Sequence, residues 1–250
     1  MSIKPWSREE EIIVFNLYCR IPFQKSSKNH PEVIKIANLI GRSPSAVNMK
    51  VGNFGSFDDT LKAKGIVGLT NASKLDKEIW DEFNGRWDEL AYLSETLIAQ
   101  IQHTDTEELP TAPLGEDKIV NAKQRVNQNF FRSAVLASYC GHCCITGLPL
   151  SDLLIASHIK PWKDSSDREK TDPHNGLCLN ALHDKAFDKG YITVTPEYKV
   201  FVSHKIIDVQ DSVAVEQYFL RYNGEKIALR EKFAPDKYYL EFDNDKIFLG

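Results

Sequence analysis

Leu154-Ile155-Ala156-Ser157-His158-Ile159-Lys160-Pro161-Trp162, then Asp172-Pro173-His174-Asn175-Gly176-Leu177-Cys178-Leu179, then His183-Asp184-Lys185-Ala186-Phe187-Asp188-Lys189-Gly190, form the stretch around which the chain is organised. A histidine closes an apolar run, an Asn-Gly pair follows, and a second histidine opens a run with helical spacing. The spacing predicts two short strands, Cys143–Thr146 and Leu153–Ile159, joined as a hairpin around Gly147-Leu148-Pro149. Asn175 is expected to start the turn into a helix that carries His183 and ends at Asp188-Lys189-Gly190.

Before this stretch lie Asn127-Gln128-x-Phe130-Phe131-Arg132 and Cys143-x-Ile145-Thr146-Gly147, and Phe187-Asp188-x-Gly190 closes it. Together with Ser-His-Ile-x-Pro-Trp and Asn-Gly-Leu-x-Leu, the segment over roughly residues 120–205 resembles the HNH nuclease family, in the branch that includes restriction-type endonucleases. The resemblance implies a ββα-metal site. His158 would be the general base, since imidazole titrates near neutrality and can deprotonate a water. His183 would present a ring nitrogen to a divalent cation that offsets charge on the phosphate. Asn175 would tie the loop together and hold the catalytic histidine, and Lys160 would meet nucleic acid. Where many relatives have a metal-binding acid before the catalytic histidine, this chain has Ser157. Mg2+ or Mn2+ is the expected ion, with Ni2+ or Zn2+ as alternatives better suited to imidazole. Asp188 lies about 140° round the helix from His183, so it is not assigned as a ligand alongside it.

The chain has 250 residues and a net charge of −4, with no apolar run long enough for a membrane span and no signal-peptide core at Met1. These features predict a cytoplasmic protein without membrane contact. The charge is unevenly placed. Residues 20–74 hold nine Lys/Arg against three Asp/Glu, while residues 76–108 hold two against ten. Such blocks matter more to a polyanionic partner than the sum does.

Ser7-Arg8-Glu9-Glu10 has the form of a capping box, predicting a helix through Ile12, Phe15 and Tyr18. Pro31 fits the first turn of a second helix ended by Gly41, and Ser43-Pro44 starts a third. This order is a helix-turn-helix pattern. Trp6-Ser7-x-Glu9-Glu10 and Gly41–Val47 resemble a Myb/SANT-type module. That resemblance makes the third helix a DNA reader through Arg42, Ser43, Ser45, Asn48 and Lys50; the alternative is a three-helix bundle with a solvated basic face. Residues 76–102 read as one long helical pattern interrupted at Gly85, and residues 104–118 as a linker.

Five cysteines include Cys140-x-x-Cys143 but no second such pair, so a structural zinc is not expected and buried reduced thiols are the default. His174 reads as a bystander, and His30, His103 and His204 as structural or exposed. Beyond the site, residues 191–195 and 199–203 predict a hairpin, 213–222 a helix, 226–229 a strand and 235–242 a helical piece, with no chemistry of their own.

The fold class expected is α+β. An all-helical helix-turn-helix-like domain (1–103) and a linker (104–118) precede a ββα-metal nuclease domain (119–250, core motif 143–190). The function implied by the resemblance is metal-dependent hydrolysis of double-stranded DNA by a restriction-type endonuclease in defence against foreign DNA, acting as a homodimer. A non-specific or toxin-like nuclease and a catalytically idle DNA-binding protein are the alternatives.

Overall fold

The structure is a computed structural model; it describes residues 4–69, 71–102, 116–209, 212–229 and 231–250. The linker expected over 104–118 lies almost wholly outside the described residues, as does His103. The fold is α+β, with a helical N-terminal half and a small antiparallel ββα unit in the C-terminal half.

Helix α1 (Arg8–Arg20) starts at the Ser7/Glu10 capping box. Its residues Ile12 to Cys19 are buried without a break, as expected of a helix wrapped on all sides. Around it lie α2 (Pro31–Leu39), α3 (Pro44–Gly55), the short α4 (Asp59–Ala63), α5 (Lys74–Phe83), α6 (Trp87–Gln102) and α7 (Glu116–Ser138). His30 caps α2 and Ser43 caps α3, each accepting from a first-turn amide. The single long pattern expected over 76–102 is two helices. Gly85 sits at φ +85, in the left-handed region that only glycine adopts readily, and the chain turns there.

Helix α7 joins two cores. Phe130 and Ala134 pack into the first, against Trp87, while Phe131 and Val135 pack into the second. The chain returns to the first core at 231–233. The Glu231 carboxylate accepts from Phe23 N at 2.5 Å and Gln24 N at 3.0 Å. Buried Lys232 donates to the carbonyls of Tyr18, Cys19 and Ile21, and Phe233 packs edge-on against Trp87.

In the second half, β1 (Leu154–His158) pairs antiparallel with β2 (Gly176–Asn180), from Leu154 opposite Asn180 to His158 opposite Gly176. Helix α8 (Ala181–Asp188) follows directly. This corrects the expected hairpin. Cys143–Thr146 is a turn, closed by Gly147 N to Cys143 O at 2.9 Å with Gly147 at φ +74. Nor does Asn175 lead into the helix; it precedes β2, and Asn180 caps α8 through its side chain. Gly176 is set by packing, because a Cβ there would lie 2.4 Å from Val135 Cγ2.

A second hairpin, β3 (Ile192–Val194) with β4 (Val200–Val202), turns through Tyr198 at φ +64. The tail adds α9 (His204–Ile207), α10 (Val213–Tyr218) and α11 (Lys237–Lys246). The strand expected at 226–229 reduces to a single bridge, Lys199 to Lys226. The helix expected over 213–222 ends at Tyr218 and finishes as a tighter turn, Leu220–Tyr222.

Candidate active site

His158 ends β1 with its ring stacked on Phe131, at 3.8 Å between centroids and 8° between planes, and edge-on to Trp162. Its Nε2 lies 2.9 Å from the Lys170 carbonyl. A carbonyl only accepts, so Nε2 carries the proton and Nδ1 keeps its lone pair. Burial pulls the His158 pKa below its ordinary value; the Lys170 carbonyl and the Asp188 charge work in the other direction. The ring is therefore neutral near pH 7, the form that a general base requires.

Asn175 is fully buried and binds the loop 159–175 from inside. Its Oδ1 accepts from Lys160 N at 2.8 Å. Its Nδ2 reaches the Lys160 carbonyl, Ser165 Oγ and the Glu169 carbonyl at 3.1–3.4 Å. Ile159 N donates to the Asn175 carbonyl at 3.0 Å. The same loop carries the Lys170 carbonyl that orients His158.

His183 does not share this surface. It is 2% exposed, with Nε2 2.8 Å from the Tyr218 carbonyl and Nδ1 3.0 Å from Asn180 Oδ1. Both ring nitrogens face acceptor oxygens inside the protein, and the ring, kept neutral by burial, donates to one of them. Neither nitrogen is presented to an ion, which corrects that expectation. The physical reason is helical phase: the residue that turns towards His158 is the next one, Asp184.

A cavity of 620 Å³ is walled by β1, the loop after it, α8 and α11. It contains Ser157, His158, Asp184 and Asp188. The two acids are one turn apart on the same face of α8. Burial raises the Asp184 pKa, and the Asp188 charge raises it further, while nearby Ser157 favours the ionised form. Ser157 Oγ is buried yet makes no hydrogen bond of normal geometry. Asp243 of α11 lines the same cavity. Thr193 Oγ1 donates to its Oδ2 at 2.6 Å, its Oδ1 has no partner among the described residues, and burial pushes its pKa up to about 7. Sequence reading passed over Asp184 and Asp243; the available signal for Asp184 was its four-residue step to Asp188.

These residues fit a hard divalent cation. Besides His158 the donors lining the cavity are oxygens, two acids repel each other there, and a buried hydroxyl makes no hydrogen bond of normal geometry among the described residues. Among the described residues no group of three or more His, Cys, Asp and Glu side chains is arranged around one point. Water and substrate would complete the shell, as is usual for Mg2+.

Three exposed lysines, Lys163, Lys185 and Lys189, rim the cavity. The cations expected to meet nucleic acid are placed otherwise. Lys50 is 5% exposed, paired with Glu11 at 2.7 Å and with Asp76. Arg42 holds Glu10 and the carbonyls of Lys4 and Pro5, and lies over the Trp6 ring. Lys160 is 8% exposed and paired with Glu169 at 2.7 Å. Asn48 accepts from Ser26 Oγ at 2.6 Å, and Ser43 is used as the α3 cap; Ser45 is exposed. Arg42, Lys50 and Lys160 are thus corrected to internal clamps, because each has found a nearby carboxylate. His174 is also more than a bystander. Burial opposes its charge, but the Asp172 carboxylate at 2.8 Å outweighs burial and raises its pKa.

Cys143, Cys144 and Cys178 are buried free thiols, and burial pushes Cys178 up to about 12. Asn180 Nδ2 lies 3.7 Å from Cys143 Sγ.

Residues 143–195 match the family model described as HNH endonuclease. No curated protein matches the chain. The matched span covers β1, β2, α8 and most of the cavity wall, so the similarity to HNH endonucleases falls on this site. The match supports nuclease chemistry at this site, and HNH nucleases generally use a divalent metal ion. No helix among the described residues is long and apolar enough to cross a membrane.

Proposed function

We propose that this chain is a metal-dependent DNA endonuclease of restriction type that hydrolyses phosphodiester bonds in double-stranded DNA, with His158 as general base. The observation that carries the reading is the contact of His158 Nε2 with the Lys170 carbonyl. The Lys170 carbonyl holds the proton on Nε2, which leaves Nδ1 basic. Asn175 fixes the loop that supplies this carbonyl and so acts by positioning. Asp184 and Asp188, with Ser157, are the residues that would hold the ion. When bound, a divalent cation supplies positive charge to the phosphate and the leaving oxygen. Lys163, Lys185 and Lys189 would track the DNA backbone, each releasing a counterion as it binds.

One such centre cuts one strand, so a double-strand break needs two copies acting together as a homodimer. On this reading residues 1–103 form a helical unit that supports the nuclease unit at 119–250, and the protein acts in the cytoplasm against foreign DNA. The test is cleavage of supercoiled plasmid, methylated and unmethylated, in Mg2+, Mn2+ or EDTA. Discrete metal-dependent fragments are expected. A smear would replace the restriction-type reading with a non-specific nuclease, and intact plasmid beside a clear gel shift would replace it with an idle DNA binder.

A further inference from the structure

A second cavity, of 380 Å³, lies behind the first, between α6, α7 and the loop after β1. Its walls include Asp88, Lys123, Asn127, Trp162, Lys170 and Thr171. Trp162 also lines the catalytic cavity, so the indole separates the two. Two side chains that line this second cavity each carry a buried oxygen with no hydrogen-bond partner among the described residues: Asp88 Oδ1 and Asn127 Oδ1. Asp88 is only 9% exposed, and Lys123 Nζ stands 3.8 Å from its other oxygen. Folded proteins rarely leave buried acceptors unpaired, because each gives up its hydrogen bonds to water without replacement.

We propose that this cavity receives a single nucleobase bearing an exocyclic amino group, from a nucleotide next to the scissile bond. Both unpaired atoms are acceptors, so the occupant must bring donors, and an amino group brings two N–H bonds. Asp and Asn are side chains that accept from base amino groups in ordinary DNA readout. Trp162 supplies an aromatic wall against which any base can pack. The volume falls in the lower part of the range of about 300–1,000 Å³ typical of small-ligand pockets. Lys123 beside Asp88 disfavours a metal ion as the occupant.

The position gives the pocket a role. Lys170 lines it, and the carbonyl of the same residue fixes the proton on His158. A base seated behind Trp162 bears on the loop that orients the general base, linking recognition to hydrolysis. The source of the base rests on the DNA-cleaving reading, but the test requires no cleavage.

The full-length His158→Ala protein is titrated with dAMP, dCMP, dGMP and dTMP, read by tryptophan fluorescence and repeated with Trp162→Phe to assign the signal. The three amino-bearing nucleotides are expected to bind at least about five-fold tighter than dTMP, which lacks the amino group. Asn127→Ala, at a half-buried position of α7, should erase that preference; Asp88→Ala should do the same, and circular dichroism checks that both variants are folded. Equal binding of all four, no binding, or a preference that survives Asn127→Ala would overturn the proposal. Plasmid cleavage by the wild type separates this from the wider reading: nucleotide preference without cleavage keeps the pocket and removes the hydrolase, and the converse keeps only the hydrolase.

Discussion

The helical half and the β1–α8 cavity treat charge in opposite ways. In the helical half Lys50 is closed in with Glu11 and Asp76 and Arg42 with Glu10, and Lys232 of the returning chain is closed in there with three carbonyls. Around the cavity Asp184 and Asp188 share one face of α8, Ser157 makes no hydrogen bond of normal geometry among the described residues, and Lys163, Lys185 and Lys189 stand in solvent. Charge in the first region is internal structure. In the second it is left available to something outside the chain. A basic residue on the expected recognition helix thus says little until its partners are known.

That contrast can be broken at several points. His158→Ala should lower the DNA cleavage rate by about 10²–10⁴-fold with thermal stability little changed, measured by single-turnover cleavage and melting. A large fall in Tm would make His158 a structural residue after all. Lys50→Ala should do the reverse. Removing one partner of a buried pair leaves Glu11 and Asp76 uncompensated, at a cost of about 3–5 kcal/mol in denaturant unfolding. DNA affinity of the folded fraction should hold; a specific loss there would restore α3 as a reader.

Asp243→Asn gives a pH-dependent effect. The folded-state pKa of Asp243 is raised to about 7, so the wild type has full stability from this group below about pH 4 and loses it as pH rises through 7. The variant should therefore be more stable than wild type at pH 8, by on the order of 2–4 kcal/mol, and no more stable at pH 4. An equal difference at both pH values would mean that the gain is not protonic. The smallest effect on stability belongs to the triple variant Lys163→Ala, Lys185→Ala, Lys189→Ala, expected to unfold within about 0.5 kcal/mol of wild type. Its DNA binding should lose about two to three from the log–log salt slope. An unchanged slope would move the DNA path elsewhere.

Local signals were legible at most caps and breaks of the helical half, though not at Asn180, which caps α8. Ser7, Pro31, Ser43-Pro44 and the break at Gly85 could each be read within a few positions. Long-range pairing was not. The partner of β1 lies across the whole loop 159–175, whereas the nearer apolar run at Cys143 only mimics a strand. Asn175-Gly176 looks like a turn, but Gly176 is there for its contact with α7, which no local pattern records. Asp184 was overshadowed by the neighbouring histidine. Only the phase of α8, fixed once Asn180 caps it, decides which of the two faces His158.

That phase is the central claim, and manganese binding followed by electron paramagnetic resonance tests it. The proteins are wild type, Asp184→Ala and His183→Ala, each checked for folding by circular dichroism. Asp184→Ala should lose at least about tenfold in Mn2+ affinity, while His183→Ala should lose stability and keep its affinity where folded. Loss of Mn2+ binding in a folded His183→Ala protein, with Asp184→Ala binding normally, would contradict the account and return the ion to the histidine.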